Sequence, residues 1–320
     1  MKKAFCICIF FQVFYCFSQF SFPGLGTESE PYQIWTAEHF QELAESTYTP
    51  SYDYWSKDKH IKLMNDIYLG NTIFGLGYWY GYFDGNGKTI NREYESVICS
   101  YLGYYSMPFG VIDNLIVDGY AYTDQVYIAG IVCNNYGTIS NCINNATVIC
   151  TDDGSKYGLF PKGGIASTNS GTISNCINNG DITGVDRIGG ITGENEGTII
   201  NCINTGNITA TASGDNYVGG IGGIVGTCPN NNWGSISNCI NLGTIIGTGA
   251  VGGIIGFERG RITPYPTEII NCINYGYVRG TNGVGGIIGY KSDQFTNVSN
   301  CVNVGVVEGD EYIGSIVGKE

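Results

Sequence analysis

From residue 128 onward apolar residues fall at every second position in short runs, and Gly or Asn breaks each run, as in Thr172-Ile173-Ser174-Asn175 and Asp181-Ile182-Thr183. A period of 2 marks half-buried strands, and Gly and Asn mark turns. The runs also repeat. AGIVCNNYGTISNCINNATV, GGIASTNSGTISNCINNGDITG, GGITGENEGTIINCINTGNITA, GGIVG…GSISNCINLGTIIG, GGIIG…EIINCINYGYVRG and GGIIG…NVSNCVNVGVVEG follow one another, and GSIVGKE opens a further copy. The central Ile of the first strand falls at Ile131, Ile165, Ile191, Ile224, Ile254, Ile287 and Ile316. From Ile to Cys the interval is 11, 11, 11, 15, 18 and 14, and from Cys to the next Ile it is 23, 15, 22, 15, 15 and 15. Both series return to a fixed minimum. The unit is therefore 26 residues with insertions at two points, as expected when coils must stack while their turns bulge freely.

A unit this short, with three apolar runs, cannot hold two helices. The pattern predicts an all-β fold, a parallel β-helix with three strands per coil, each strand pairing with its equivalent one coil away, and Gly or Asn at corners that need φ > 0. Residues 128–320 form the repeat coils, and residues 60–127 form looser N-terminal coils with strands at His60 to Leu69, Phe83 to Ile90 and Val111 to Val117. Residues 19–59 read as a cap: Tyr32-Gln33-Ile34 as a strand, a helix over 37–45 with Thr36 as its N-cap and Phe40, Leu43 and Ala44 on one face, then a loop. The insertions Ile149 to Lys162, Thr209 to Val218, Thr227 to Trp233 and Phe257 to Thr267 are the variable surface.

Residues 1–18 have the form of an export signal: Met1-Lys2-Lys3, an apolar run from Ala4 to Phe17, and small residues at Cys16 and Ser18. The run is shorter than the roughly 20 residues a membrane-spanning helix needs. An extracellular or cell-surface location follows, with no transmembrane span once the signal is removed. The net charge of −13, carried by 15 Lys+Arg against 28 Asp+Glu, excludes a broad nucleic-acid interface.

The unit GG(I/L)xG…I-x-N-C-I-N-x-G-x-(I/V), with PYQI…LMNDIYL…FDGNGKTI…GVIDNLIV before it, resembles the GLUG-motif repeats of bacterial surface proteins. The resemblance covers nearly the whole chain after the signal. It implies a right-handed parallel β-helix on an exported, often adhesin-like protein; similar repeats stand beside the catalytic part of some bacterial immunoglobulin-cleaving metallopeptidases.

Candidate chemistry is unevenly placed. Cys142, Cys176, Cys202, Cys239, Cys272 and Cys301 are spaced by 34, 26, 37, 33 and 29, unlike the close pairs of a zinc site. One Cys per coil at one position predicts a column of mostly free, buried thiols, with bridges between coils as the alternative. Asn141, Asn175, Asn201, Asn238, Asn271 and Asn300 precede these Cys, and Asn144, Asn178, Asn204, Asn241, Asn274 and Asn303 follow them. Both sets predict amide ladders. Eleven of the 24 Tyr lie between Tyr48 and Tyr105, densest around Tyr78, Trp79, Tyr80 and Tyr82. Consecutive aromatics on a strand point both ways, so this run is the candidate contact for a glycan or protein ligand.

Catalytic signatures are sparse: His39 and His60 form no H-e-x-x-h pair, and GVGGIIG at Gly283 to Gly289 precedes no helix, so it is not a dinucleotide loop. No cofactor or metal is expected. Asp152-Asp153, Asp186-Arg187 and Asp310-Glu311 read as solvated turns, with no carboxylate in register between neighbouring coils. The functional expectation is a non-catalytic exported scaffold that presents loops and aromatics to host, matrix or cell-surface ligands. The alternatives are a polysaccharide lyase or hydrolase on the same fold, and a structural protein that self-associates end to end through its C-terminal coil, where Ile313 to Glu320 forms an uncapped strand.

Overall fold

The computed structural model describes residues 20–47, 55–70, 75–93, 97–104, 107, 109–123, 127–151, 160–211, 219–229, 234–259, 267–292 and 296–320. The expected signal and much of each variable insertion lie outside the described residues. No helix among the described residues is long and apolar enough to cross a membrane.

The strands form four parallel sheets stacked along the coils, three of them starting in the N-terminal coils and one at residue 128. Sheet 1 has ten strands, from Tyr32–Ile34 to Asn297–Ser299; sheet 2 has fifteen; sheet 3 has seven, from Ile128–Ala129 to Glu311–Gly314; sheet 4 has nine, from Leu76–Trp79 to Val317–Lys319. Each strand pairs with its equivalent in the next coil: Thr138, Ile139 and Ser140 lie opposite Thr172, Ile173 and Ser174, which lie opposite Thr198, Ile199 and Ile200. This is the parallel β-helix that the repeat predicts.

A body coil holds five strands rather than three. One coil runs Thr172–Ser174 in sheet 1, Ile177–Asn178 and Ile182–Gly184 in sheet 2, Ile188–Gly189 in sheet 3 and Thr192–Asn195 in sheet 4. The sheet 3 strand turns tightly back beside the sheet 4 strand, so each coil encloses two cores. The main core extends from Phe20 to Ile288 and takes in the Cys column; the second holds Ala121, Ile128, Val148, Ile182, Ile188, Ile208, Ile221 and their successors. Full burial of each such aliphatic side chain contributes about 1.5–3 kcal/mol.

The paired glycines sit between the two cores, and their role differs from the expected one. The corner conformation is supplied by Asn: Asn141, Asn175, Asn201, Asn238, Asn271 and Asn300 have φ of 53–56°. The Gly-Gly pairs do not have positive φ. They are needed for space, since a Cβ on Gly190 would stand 2.2 Å from the Gly223 oxygen and 2.4 Å from Asn204 Cγ.

The N-terminal end is closed as expected. Helix α1, Ala37–Thr47, is two residues longer than the sequence suggests, is capped by Thr36 Oγ1 accepting from the His39 N–H at 3.3 Å, and buries Phe40, Leu43 and Ala44. Phe40 meets Phe83 edge-on at 6.4 Å, and the Gly77 N–H donates to Thr47 Oγ1 at 2.8 Å, which ties the lid to the first strand of sheet 4.

Candidate functional site

The two Asn columns form ladders of different character. The inner amides are fully buried from Asn144 to Asn274: Asn144 donates to Asn178 at 2.8 Å, Asn178 to Asn204 at 2.8 Å, Asn204 to Asn241 at 2.9 Å, Asn241 to Asn274 at 2.7 Å and Asn274 to Asn303 at 2.8 Å. Each also donates to the carbonyl two residues on, as Asn204 does to Gly206 at 2.9 Å. The outer amides lie on the surface and donate the other way, Asn175 to Asn141 at 3.3 Å and Asn201 to Asn175 at 3.1 Å, until Asn141 meets Asp113 Oδ1 at 2.8 Å. A third ladder, Asn135 to Asn169 to Asn195 at 2.7 Å per step, is buried on sheet 4 and was not foreseen. Its signal was the Asn that follows each Gly-Gly-Ile strand by a few residues in those three copies.

The cysteines of the column are free, and those from Cys142 to Cys272 are fully buried. Burial first, and then the thiol of the preceding coil, holds Cys176 and Cys202 well above their ordinary pKa. For Cys239 and Cys272 the neighbouring thiol acts first, and Cys272 is pushed up to about 12. Such thiols are poor nucleophiles. The Cys and Asn columns thus run in register through the coils, with the Cys thiols held neutral inside the core.

The predicted ligand-facing aromatics are dispersed over several faces. Trp79 is fully buried and meets Trp55 at 6.2 Å beneath the lid, which corrects its assignment to the contact surface. Alternation along the strand explains the correction: Trp79 takes the inward position, so Tyr78 faces outward. Tyr78 lies in register with Tyr101, and the two rings stack with centroids 4.6 Å apart and planes within 10°. Tyr104, 46% exposed, meets Tyr78 at 6.5 Å and Tyr136 at 6.2 Å. Phe109 is exposed with the Lys57 ammonium 5.0 Å from its centroid. Half-buried Tyr80 marks the corner between sheets 4 and 1, its N–H donating to Ser56 Oγ at 3.0 Å.

Past that corner lies Tyr82, stacked on His60 at 5.4 Å and donating to Asp113 Oδ2 at 3.0 Å. Burial and the Asp113 carboxylate push the Tyr82 phenol up to about 12, so it is a hydrogen-bond donor here and not a base. Asp84 and Asp113 lie opposite each other on neighbouring strands, which corrects the expectation that no carboxylates share a register. The common Asp in FDGNG and VIDN was the signal. Both carboxylates are engaged: Asp113 also accepts from Ser140 Oγ at 2.6 Å, while Asp84 accepts from the Asn86 N–H at 2.7 Å and pairs with Lys62 at 3.2 Å. Among the described residues no group of three or more His, Cys, Asp and Glu is arranged to hold a metal ion.

The site that emerges is an aromatic corner formed by Tyr78, Tyr101, Tyr104 and Tyr136, with the polar set of His60, Lys62, Tyr82, Asp84 and Asp113 on the adjoining sheet. Its rigid rings and fixed carboxylates suit recognition by contact area and hydrogen bonding. Sequence reading missed Tyr101, Tyr104 and Tyr136 because only strand register places them beside Tyr78.

No model of a known protein family matches the chain, and no curated protein matches it. A solved structure is similar in fold: a "putative immunoglobulin A1 protease" from Bacteroides ovatus, with a TM-score of 0.59, 21% identity, and coverage of 93% of this chain and 87% of that one. At that identity the likeness supports the β-helix architecture.

Proposed function

We propose that the protein is an exported, non-catalytic β-helix scaffold of the adhesin type, akin to the GLUG-motif surface proteins, and that its aromatic corner contacts a glycan or protein ligand on another cell or its matrix. The observation that carries this reading is the stacked Tyr78–Tyr101 pair with exposed Tyr104 against it, a preformed aromatic surface on rigid strands. Rings held this way lose little side-chain entropy when a ligand covers them. The structural neighbour's name raises the question of proteolysis; the corner's chemistry favours binding.

An array of glycans and matrix proteins probed with the mature chain tests the proposal. Tyr101→Ala and Tyr104→Ala should each weaken the dominant signal about tenfold, the effect of losing one aromatic anchor. Undiminished binding by both variants, with unchanged circular dichroism, would remove the corner from the function. Turnover of any polysaccharide, abolished by Asp113→Asn in a chain that stays folded, would replace the scaffold reading with an enzymatic one.

A further inference from the structure

The outward column of sheet 4 does not stop at the aromatic corner. Its strands Leu76–Trp79, Cys99–Leu102, Val132–Asn135, Ala166–Asn169 and Thr192–Asn195 place Tyr78, Tyr101, Asn134, Thr168 and Glu194 side by side, one per coil, and all five are half-buried. A second row runs beside it at the turn into sheet 1. There Tyr136, Ser170 and Glu196 take the same place in three successive coils, their N–H groups donating to the carbonyls of Leu102, Asn135 and Asn169. Both rows pass from rings through an amide or hydroxyl to a carboxylate. Coils stack about 4.8 Å apart, so the longer row spans about 19 Å. It ends at the next coil, where Thr227 is buried and accepts from the Gly220 N–H at 3.0 Å.

The polar part of the rows is rich in acceptors. Thr168 Oγ1 donates to Asn134 Oδ1 at 3.1 Å and Ser170 Oγ donates to Glu196 Oε2 at 3.2 Å, so both hydroxyl protons are engaged within the protein. Their lone pairs and the carboxylate oxygens remain to receive donors. Arg187 Nη1 meets Glu194 Oε2 at 3.4 Å and closes the far end. Asp186, expected in a solvated turn, is instead enclosed at 1% exposure against Gly219 of the next coil, where a Cβ would stand 2.2 Å from Asp186 Oδ1. It takes no part in this face. At the near end Tyr104, 46% exposed, is turned 64° from the Tyr78 ring and so offers its own face beside the stacked pair.

These features select a ligand. An acceptor-rich surface with two carboxylates, on a chain of net charge −13, repels anions and suits neutral donors. A peptide fits poorly. The strands that carry Tyr101 to Glu194 are paired on both sides, so none can take up an added strand, and the side chains on one face of an extended peptide recur at about 6.8 Å rather than 4.8 Å. A chain of pyranose rings has an apolar face for tyrosine and hydroxyls for the acceptors, at a repeat close to one coil. We propose that the two rows form a track for a neutral linear polysaccharide lying along the solenoid. One end of the sugar chain packs on Tyr104 beside the Tyr78–Tyr101 pair, and its hydroxyls donate to Thr168, Ser170, Glu194 and Glu196. This rests on the binding role proposed for the aromatic corner, and adds to it the ligand class, the direction of the chain and the length of the site.

Isothermal titration of the mature chain with cello-, manno- and xylo-oligosaccharides, from disaccharide to hexasaccharide, tests this. In at least one series affinity should rise about tenfold from the disaccharide to the pentasaccharide and level off beyond it, as the track fills. Thr168→Val and Ser170→Ala should each weaken the pentasaccharide about threefold, and together about tenfold, with no more than about twofold change for the disaccharide, which reaches only the rings. Both hydroxyls lie on the surface, so their loss spares the core. Tyr104→Ala should weaken every length about tenfold. Oligogalacturonates of equal length should bind at least about tenfold less well, and Glu194→Gln with Glu196→Gln should narrow that gap. The proposal falls if no oligosaccharide binds, if affinity is independent of length, if the Thr168 and Ser170 variants hold the pentasaccharide as the parent does, or if oligogalacturonates bind best; the aromatic corner survives each of those results. If Tyr104→Ala leaves every length unchanged, the corner falls, and the track with it.

Discussion

The N-terminal coils and the repeat body solve the same stacking problem with different materials. Residues 60–127 fill the main core with large side chains, among them Trp79, Phe83, Leu102 and Leu115, and reach the second only with Ala121. The body fills two cores with Ile, Val and Cys and separates them with Gly and buried Asn. A repeated ladder ties each position to its neighbours above and below, so one residue type recurs and little variation is tolerated within the coil. The described N-terminal coils place Tyr78, Tyr101 and Tyr104 outward on sheet 4, where the body carries Asn134, Thr168 and Glu194 in register with Tyr101. The contrast separates a region built for regularity from one free to vary its surface.

Alkali should break the comparison most strongly. Cys176, Cys202, Cys239, Cys272 and Cys301 all have thiol pKa values raised above the ordinary 9.0 in the folded body. The unfolded chain then loses protons first, so the stabilisation is complete below about pH 9 and drains away as pH climbs toward about 12. Each buried thiol costs about 1.4 kcal/mol per pH unit across that window. Urea midpoints at rising pH should fall steeply, and Cys202→Ala should make the fall shallower. Ten thiols should react after denaturation without reductant, one for each free cysteine described; four or fewer would mean bridges between coils.

Next in size is Trp79→Ala, which empties a fully buried site beneath the lid and should cost about 3–5 kcal/mol, read as a lower urea midpoint with loss of α1 signal. Asn204→Ala tests the body's counterpart. It leaves Asn241 Oδ1 and the Gly206 carbonyl without their donor, for about 2–4 kcal/mol. The smallest effect belongs to the outer column: Asn201→Ala should cost about 1–2 kcal/mol for a side chain at φ 56°, while Asn201→Gly should cost almost nothing. Equal losses at Asn201 and Asn204 would erase the distinction between corner and ladder.

The 26-residue period, the Cys column and both Asn columns were legible because strict stacking forces equivalent residues into fixed spacing. The second core was not. Its strands, such as Ile188–Gly189, are two or three residues long and merge with turn residues in the pattern. The purpose of the Gly-Gly pairs was misread because a glycine needed for space and one needed for φ look alike in sequence. Asp186 was misplaced for a related reason: its burial depends on Gly219 in the next coil. At the aromatic corner, alternation showed that Tyr78 and Trp79 must part company, but only the lid decides which of them is inside.

The ladders also have an electrical sense. An amide that donates along its column aligns its dipole with the next, much as peptide units do in a helix. The inner row from Asn144 to Asn303 donates toward the C-terminal coils, and the outer row donates toward the N-terminal ones, so two antiparallel rows run side by side and largely cancel. The outer row brings its positive pole to Asn141, where the Asp113 carboxylate receives it at 2.8 Å. Asp113 is thus a counter-charge for a row of side-chain dipoles, as an acidic cap is for a helix, and neutralising it should be felt coils away.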